Sequence, residues 1–326
     1  MENVLVTGAN GFLGSALVRE LIPHFNVKAL VRVTSNLTNL KGLDLELVNG
    51  ELRDKDSLIS ACKNVDYIFH AAADYRLWVK NSKELYKTNV DGTRNLLKVA
   101  YKIGIKKFIY TSSVAALGTN ADGSPANEET PVTIEQMVGH YKKSKFLAEQ
   151  EVLAFYRDTR FPIVIVNPST PVGPRDIKPT PTGRMLKDAA NQKIPAYVNT
   201  GLNLVHVNDV AKGHLLALKK GRSGRKYILG GNDYSLLEIL KTVADIKGDK
   251  ASFFWLNQHM LYPVAFIWEL VASTLNLKEP LLTIDGLKMA SKKMYFSSER
   301  AKAELGYTYR DPRQGIEEAI RWFSEN

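Results

Sequence analysis

The run VLVTGANGFLGSALVREL, residues 4–21, constrains this chain more than any other stretch. An apolar, β-prone segment ends at Thr7, and Gly8, Gly11 and Gly14 follow at G-x-x-G-x-x-G spacing. An amphipathic helix is predicted over residues 12–22. This spacing lets the backbone turn sharply, approach a pyrophosphate closely and aim the positive end of the helix at it. A glycine triplet alone can mean no more than a tight turn. Placed between a first strand and a first helix, it points to dinucleotide binding, with Asn10, Phe12 and Leu13 of the same loop beside the ligand.

The pattern beyond the loop agrees. β-rich runs are predicted at residues 3–7, 27–31, 45–49, 66–72, 107–113 and 162–168, several of them apolar throughout, as strands covered on both faces must be. Helical stretches are predicted between them, including residues 12–22, 85–103 and 141–157. The alternation implies an α/β fold, a Rossmann-type doubly wound parallel sheet, with ligands held at the carboxyl ends of the strands. The proline-rich segment NPSTPVGPRDIKPTPTGR, beginning at Asn167, can be neither helix nor central strand and reads as a crossing loop. The expected division is residues 1–168 for the cofactor, with a segment near 204–230 returning to that domain, and residues 169–326 mainly as a smaller substrate-binding lobe.

The second strand of such a sheet ends near the adenosine ribose, where a carboxylate suits a free 2′-hydroxyl and an arginine a 2′-phosphate. Here KALVRVTSN places Arg32 at the strand end with no Asp or Glu nearby, which favours NADP(H) over NAD(H).

Tyr141 and Lys145, four apart in GHYKKSKFLAE, share one side of a predicted helix. An ammonium group and an oxidised nicotinamide together stabilise a phenolate, which turns a tyrosine of ordinary pKa about 10 into a usable acid/base. Ser112 and Ser113, at the end of the run KFIYTSS, supply hydroxyls where a doubly wound sheet places its active site. Lys142 and Lys143 are read as solvent-facing charges. His70 is read as a packed, hydrogen-bonded residue and Asp209 as a helix N-cap. No cluster has metal-ligand spacing, so no metal is expected.

TGANGFLG, FHAAAD, TNVDGT, YTSS, YKKSK and NPSTPVGP occur in an order that resembles the extended short-chain dehydrogenases/reductases, across essentially the whole chain. Within that family, ADYRLW, GHYKKSKFLAE and TGLNLVHVNDVAKGHLLAL are similar to the hopanoid-associated sugar epimerases and dihydroflavonol-4-reductase-like proteins. The resemblance implies Tyr141 as acid/base and Lys145 as its electrostatic partner and a ligand of the nicotinamide ribose. It implies Ser113 as the group holding the substrate oxygen and Asn89 as an organiser of the site. Ala71, Ala72, Ala73, Thr111, Ser112 and Pro168 would lie against the cofactor, and Glu51 and Leu52 near adenine, although Glu51 stands where the family usually has an aspartate. Helices 85–103 and 141–157 resemble the pair that builds a homodimer interface.

Val114-Ala115, where the family's dehydratases carry Asp-Glu, disfavours elimination chemistry. An NADPH-linked carbonyl reductase is favoured by Arg32. A nucleotide-sugar epimerase with retained NAD(P) is the alternative, and a non-catalytic NADP sensor is disfavoured because Ser113, Tyr141 and Lys145 are all present. Asp74, Tyr75, Arg76, Arg175, Arg184 and Lys187 are candidates for the substrate side.

The net charge of +10 suits an anionic small-molecule ligand. Its lysines are scattered doublets without a nucleic-acid motif, so nucleic acid is not expected. A single cysteine, Cys62, and an N-terminus without a charged and apolar leader suit a reduced, cytoplasmic setting. The apolar stretch over residues 260–277 is shorter than the ~20 residues of a spanning helix. It is read as a buried or interface helix, in preference to a peripheral membrane contact.

Overall fold

A computed structural model describes residues 1–79, 81–250, 252–274 and 283–326. Seven strands form one parallel sheet. Six carry labels here: β1 (Asn3–Thr7), β2 (Asn26–Val31), β3 (Glu46–Asn49), β4 (Tyr67–His70), β5 (Lys107–Thr111) and β6 (Ile163–Pro168). The seventh is Lys226–Leu229, and the order across the sheet is Lys226–Leu229, β6, β5, β4, β1, β2, β3. Every residue of β6 is buried, as its unbroken apolar run requires of a strand covered on both faces.

Helices α1 (Phe12–Leu21) and Val207–Lys220 pack on one face of the sheet. The other face takes α2 (Lys55–Ala61), α4 (Gly92–Ile103) and α5 (Gly139–Thr159). The short α3 (Ser82–Tyr86) leads into α4 through a π turn at Lys87–Asp91. Cys62, at the carboxyl end of α2, is fully buried, and burial pushes its thiol up to about 12.

Strand order reverses between β1 and β4, which sets a crevice above their carboxyl ends. Register brings those ends level: Thr7 pairs with His70, His70 with Tyr110 and Thr111 with Val166. A second sheet, built on Gly201–His206, lies beyond that edge. Asn232–Ser235 pairs with it antiparallel, and Lys293–Met294 and Thr170–Val172 pair with it parallel. Phe254–Trp255 pairs separately with Ala196–Tyr197.

Three sequence expectations change here. The proline-rich segment read as a crossing loop ends β6, carries the strand Thr170–Val172 and opens helix Pro181–Ala190, whose Pro181 sits at the first helical position, where a missing N–H costs nothing. The N-cap of helix Val207–Lys220 is His206, whose ring accepts the Asn208 N–H at 3.1 Å. Asp209 lies inside the first turn, buried, and pairs in a fork with Arg310 at 2.9–3.1 Å; its role is to hold two segments together. The apolar stretch forms helix Tyr262–Thr274, but Val264, Phe266, Ile267 and Leu270 are exposed, so it is not a core helix. Residues 275–277 of that stretch lie outside the described residues. Among the described residues no helix is long and apolar enough to cross a membrane.

Candidate active site

The glycine loop has the geometry its spacing predicts. Gly8 adopts φ +70°, and a Cβ there would stand 2.7 Å from the Ala72 backbone. A Cβ on Gly14 would stand 1.9 Å from the Gly8 carbonyl oxygen, so only glycine lets α1 pack back onto the loop. The Gly11 N–H donates to that same carbonyl at 3.0 Å, which closes the turn. No side chain caps the first amides of α1. Donors left without a capping side chain at a positive helix end, in a cradle kept open by missing side chains, fit a pyrophosphate.

The loop opens into a cavity of about 1160 Å³ that crosses the carboxyl edge of the sheet. Gly8, Asn10, Gly11, Phe12, Leu13 and Gly14 line one end together with Arg32, Glu51 and Leu52. Thr34, Ser35 and Asn36 line it too and were not singled out from the sequence. The Arg32 N–H donates to Ser35 Oγ at 3.0 Å and the Ser35 N–H to the Arg32 carbonyl at 2.9 Å, a tight turn that sets small polar groups beside the guanidinium. The run of small polar residues after Arg32 was the available signal. Glu51 faces Arg53, with 2.7 Å between Nε and Oε1. Ala71, Ala72, Ala73, Thr111, Ser112 and Pro168 line the middle of the cavity.

Tyr141 and Lys145 reach this middle from α5. Lys145 Nζ donates to the Thr111 carbonyl at 2.8 Å and lies 5.0 Å from the centre of the Tyr110 ring. Burial pulls its pKa down to about 8, and the Glu149 carboxylate one turn away opposes that fall. Burial raises the Tyr141 phenol, and a hydrogen bond with the Ser113 hydroxyl opposes the rise. Ser113 Oγ also accepts the Ala115 N–H at 3.1 Å, so this serine starts the short 3-10 turn Val114–Ala116. Val114 and Ala115 line the cavity without a proton-transferring group.

Ser112 has a different environment from Ser113. Its hydroxyl donates to Glu149 Oε2 at 2.6 Å, and Asn167 Nδ2 donates to the same oxygen at 2.7 Å. Glu149 is buried, and sequence reasoning missed it. The signal was its place four residues after Lys145, on the inner side of α5.

Asn89 does not line the cavity. It lies in the π turn, where the extra residue re-aims its side chain. Its Oδ1 accepts the Asp74 N–H at 2.7 Å, while Nδ2 donates to the Asp74 carbonyl and to Ser144 Oγ, both at 2.9 Å. It therefore joins the segment after β4 to α5. His70 is buried between Thr7 and Thr93, at 2.7 and 2.9 Å. Because Thr93 Oγ1 donates to the Asn89 carbonyl at 2.7 Å, it accepts from His70 Nε2–H, and Nδ1 then accepts from Thr7.

The substrate side needs one revision. Asp74, Tyr75 and Arg76 line the cavity, with Arg76 paired to Asp74 at 2.5–3.1 Å and the Tyr75 hydroxyl on the Lys178 carbonyl at 3.1 Å. Arg175, Arg184 and Lys187 do not line it. On helix Pro181–Ala190 the positions facing the cavity are Pro181, Thr182 and Met185, and helical periodicity turns 184 and 187 elsewhere. Lys187 lies 5.6 Å from the centre of the Phe323 ring, and Arg175 occupies a φ +73° turn. Besides Arg76, the cations that line the substrate side of the cavity include Lys142, Lys178 and Lys292. Lys142, read from sequence as solvent-facing, is half-buried and pulled down to about 8, first by burial and then by Lys292. Lys143 lies in a separate surface hollow with Lys288 and Asp285.

A profile of the NAD dependent epimerase/dehydratase family matches residues 4–230. The chain belongs to that family. A Synechocystis protein provisionally named dihydroflavonol 4-reductase is 43% identical, over 98% of this chain and 94% of its own length. Sterol demethylase protein B of Methylococcus capsulatus is 30% identical over 98% of both chains. The crystal structure of gox2253 superposes with a TM-score of 0.89 at 51% identity, covering 100% of this chain and 98% of that one. Membership makes this chain an enzyme of the oxidoreductase, epimerase and dehydratase group that works with a nicotinamide dinucleotide. The glycine cradle and the cavity fit such a cofactor.

Proposed function

We propose that the protein is an NADP(H)-linked carbonyl reductase acting on a ketone or aldehyde with a largely apolar body. The observation that carries this reading is the composition of the two ends of one cavity. At the adenosine end, Arg32 and the Thr34–Asn36 turn offer a guanidinium and hydroxyl donors to a 2′-phosphate, while Glu51 at the same end is paired with Arg53. At the far end, Ile177, Met185, Leu202, Ile239, Met289 and Met294 surround the space beyond Tyr141.

The cofactor supplies the hydride. Ser113 holds the substrate oxygen, and Tyr141 delivers the proton to that oxygen. The Lys145 ammonium lowers the cost of the phenolate left behind and binds the nicotinamide ribose. Thr111 and Ser112, anchored through Lys145 and Glu149, fix the strand end on which Ser113 rides. Residues 1–168 with the returning strand form the cofactor half, and most of residues 169–326 form the substrate half. The Methylococcus relative, named for sterol demethylation, supports an apolar substrate body.

An epimerase acting on a nucleotide sugar is the second reading. Lys142, Lys178 and Lys292 favour it, since all three line the substrate side and would suit a diphosphate. Incubation with NADPH or NADH across apolar ketones, aldehydes and nucleotide sugars separates the two. Net NADPH oxidation with an apolar ketone supports the reductase. Sugar isomerisation without net cofactor change overturns it.

A further inference from the structure

Helix Tyr262–Thr274 inverts the usual arrangement of a surface helix, in which the apolar stripe faces the protein. Its inward side carries the buried Ala265 and Ala272, with the half-buried Glu269 between them. The Glu269 carboxylate accepts the Ile284 N–H at 2.8 Å, at the start of helix Ile284–Ala290, on which this helix packs. Glu269 is the sole charged residue between 262 and 274, and it is turned toward the protein.

The outer arc, roughly 200° wide at 100° per residue, holds Val264, Phe266, Ile267, Trp268 and Leu270. Phe266 is 60% exposed and Ile267 59%. Met260, just before the helix, is exposed, as are the short strand Phe254–Trp255 and Leu256 after it. Contiguous apolar exposure of this kind marks a surface that meets another phase or partner.

We propose that this surface docks on an anionic lipid surface, with the helix lying in the membrane plane. The arc is the convex side of a helix and bears no charged side chain that could register a protein partner. Trp268 at one border of the arc, and the exposed Trp255 of the preceding strand, are side chains of the kind that sit at the headgroup level. Exposed lysines accompany the strand Phe254–Trp255. Lys193 stands two residues before Pro195, whose carbonyl accepts the Phe254 N–H at 3.0 Å, and Lys247 and Lys250 lead into the same strand. Asp249 is the one acid among the described residues of 247–256. Apolar insertion with a cationic rim is the chemistry that holds a protein on anionic lipid. Helix Ile284–Ala290, which carries the apolar helix, also presents Met289 and Ala290 to the active-site cavity, so the docking surface and the substrate end share one element.

The test uses the full chain with vesicles of phosphatidylcholine alone or mixed equally with phosphatidylglycerol, read by co-sedimentation and tryptophan emission. The expected result is sedimentation with the anionic vesicles, weakened by salt, with a blue shift lost in W255F/W268F. The double variant F266E/I267E is expected to lower the bound fraction by about tenfold or more. Both residues are exposed, so its melting temperature and NADPH affinity should match wild type. Failure of the wild-type chain to sediment with either vesicle overturns the proposal, as does undiminished binding by F266E/I267E. A wild-type dimer that F266E/I267E dissociates, without vesicle binding by either protein, would assign the surface to a second copy of the chain instead.

Discussion

Glu149 accepts the Ser112 hydroxyl at 2.6 Å, one turn along α5 from Lys145. The same oxygen takes Asn167 Nδ2, and Lys226 Nζ stands 3.5 Å from the other. This buried carboxylate therefore fixes the strand end that carries Ser113 and also favours the cationic form of Lys145, against the burial that pulls it down to about 8. Glu149→Gln keeps the shape and removes the charge. Lys145 should then lose its proton at a lower pH, so the alkaline limb of kcat/KM moves toward acid while cofactor binding at neutral pH is retained. An unmoved limb would show that Glu149 serves packing alone.

Tyr141→Phe removes the proposed proton donor without changing the volume of α5. Turnover should fall by about 10²–10⁴-fold. NADPH affinity, measured by calorimetry, should stay close to wild type, because the glycine cradle and Arg32 are untouched. Turnover within a few-fold of wild type would refute the assignment.

Arg32→Glu places a carboxylate where a 2′-phosphate is proposed to bind. Affinity for NADPH should drop by about tenfold or more relative to NADH, the loss of one charge-assisted contact. Equal effects on both cofactors would mean that the side chain does not meet the 2′ position.

Much of this architecture was legible because it depends on local pattern. The glycine spacing, the unbroken apolar β6 and the Tyr141–Lys145 interval each specify geometry within one element or one turn. Residues brought in from distant segments were not legible. Lys292 and Met289 reach the cavity only through a helix near residue 290, and no periodicity reports that. Arg184 and Lys187, named together with Arg175 for the substrate side, miss the cavity for a related reason: a proline-rich loop hides the phase at which its following helix begins, so the inward positions 181, 182 and 185 could not be told from 184 and 187. Glu149 was visible as a charge, but an acid on a helix reads as solvated until Ser112 and Asn167 are seen to close around it. The apolar stretch near residue 262 carries no sign of which side faces out, because its one charge, Glu269, points inward to hold a backbone amide.

Gly14→Ala tests the cradle. Its Cβ would meet the Gly8 carbonyl oxygen at 1.9 Å, and the atoms it meets are backbone, so α1 must move away from the loop. A stability loss of about 1–3 kcal/mol is expected, with a larger fractional loss of cofactor binding. A variant that melts and binds NADPH like wild type would mean that the loop is not held as described.

His70 and His214 predict how the fold responds to acid. Both are fully buried, and burial lowers their pKa values to about 3 and about 4, from an ordinary 6.5. His70 lies between Thr7 and Thr93, while His214 donates from Nδ1 to the Val210 carbonyl and accepts the Thr111 hydroxyl at 2.9 Å. Each ring is neutral in the fold but takes up a proton near pH 6.5 once unfolded. The stability each contributes is thus complete above pH 6.5 and is lost as pH falls toward the folded values. At about pH 4.5 the loss should reach roughly 2–3 kcal/mol per histidine. Denaturant midpoints between pH 7 and pH 4.5 should fall steeply in the wild type and less steeply in His70→Asn or His214→Gln, even though each substitution lowers stability at neutral pH. Parallel slopes in all three proteins would rule out these histidines as the titrating groups.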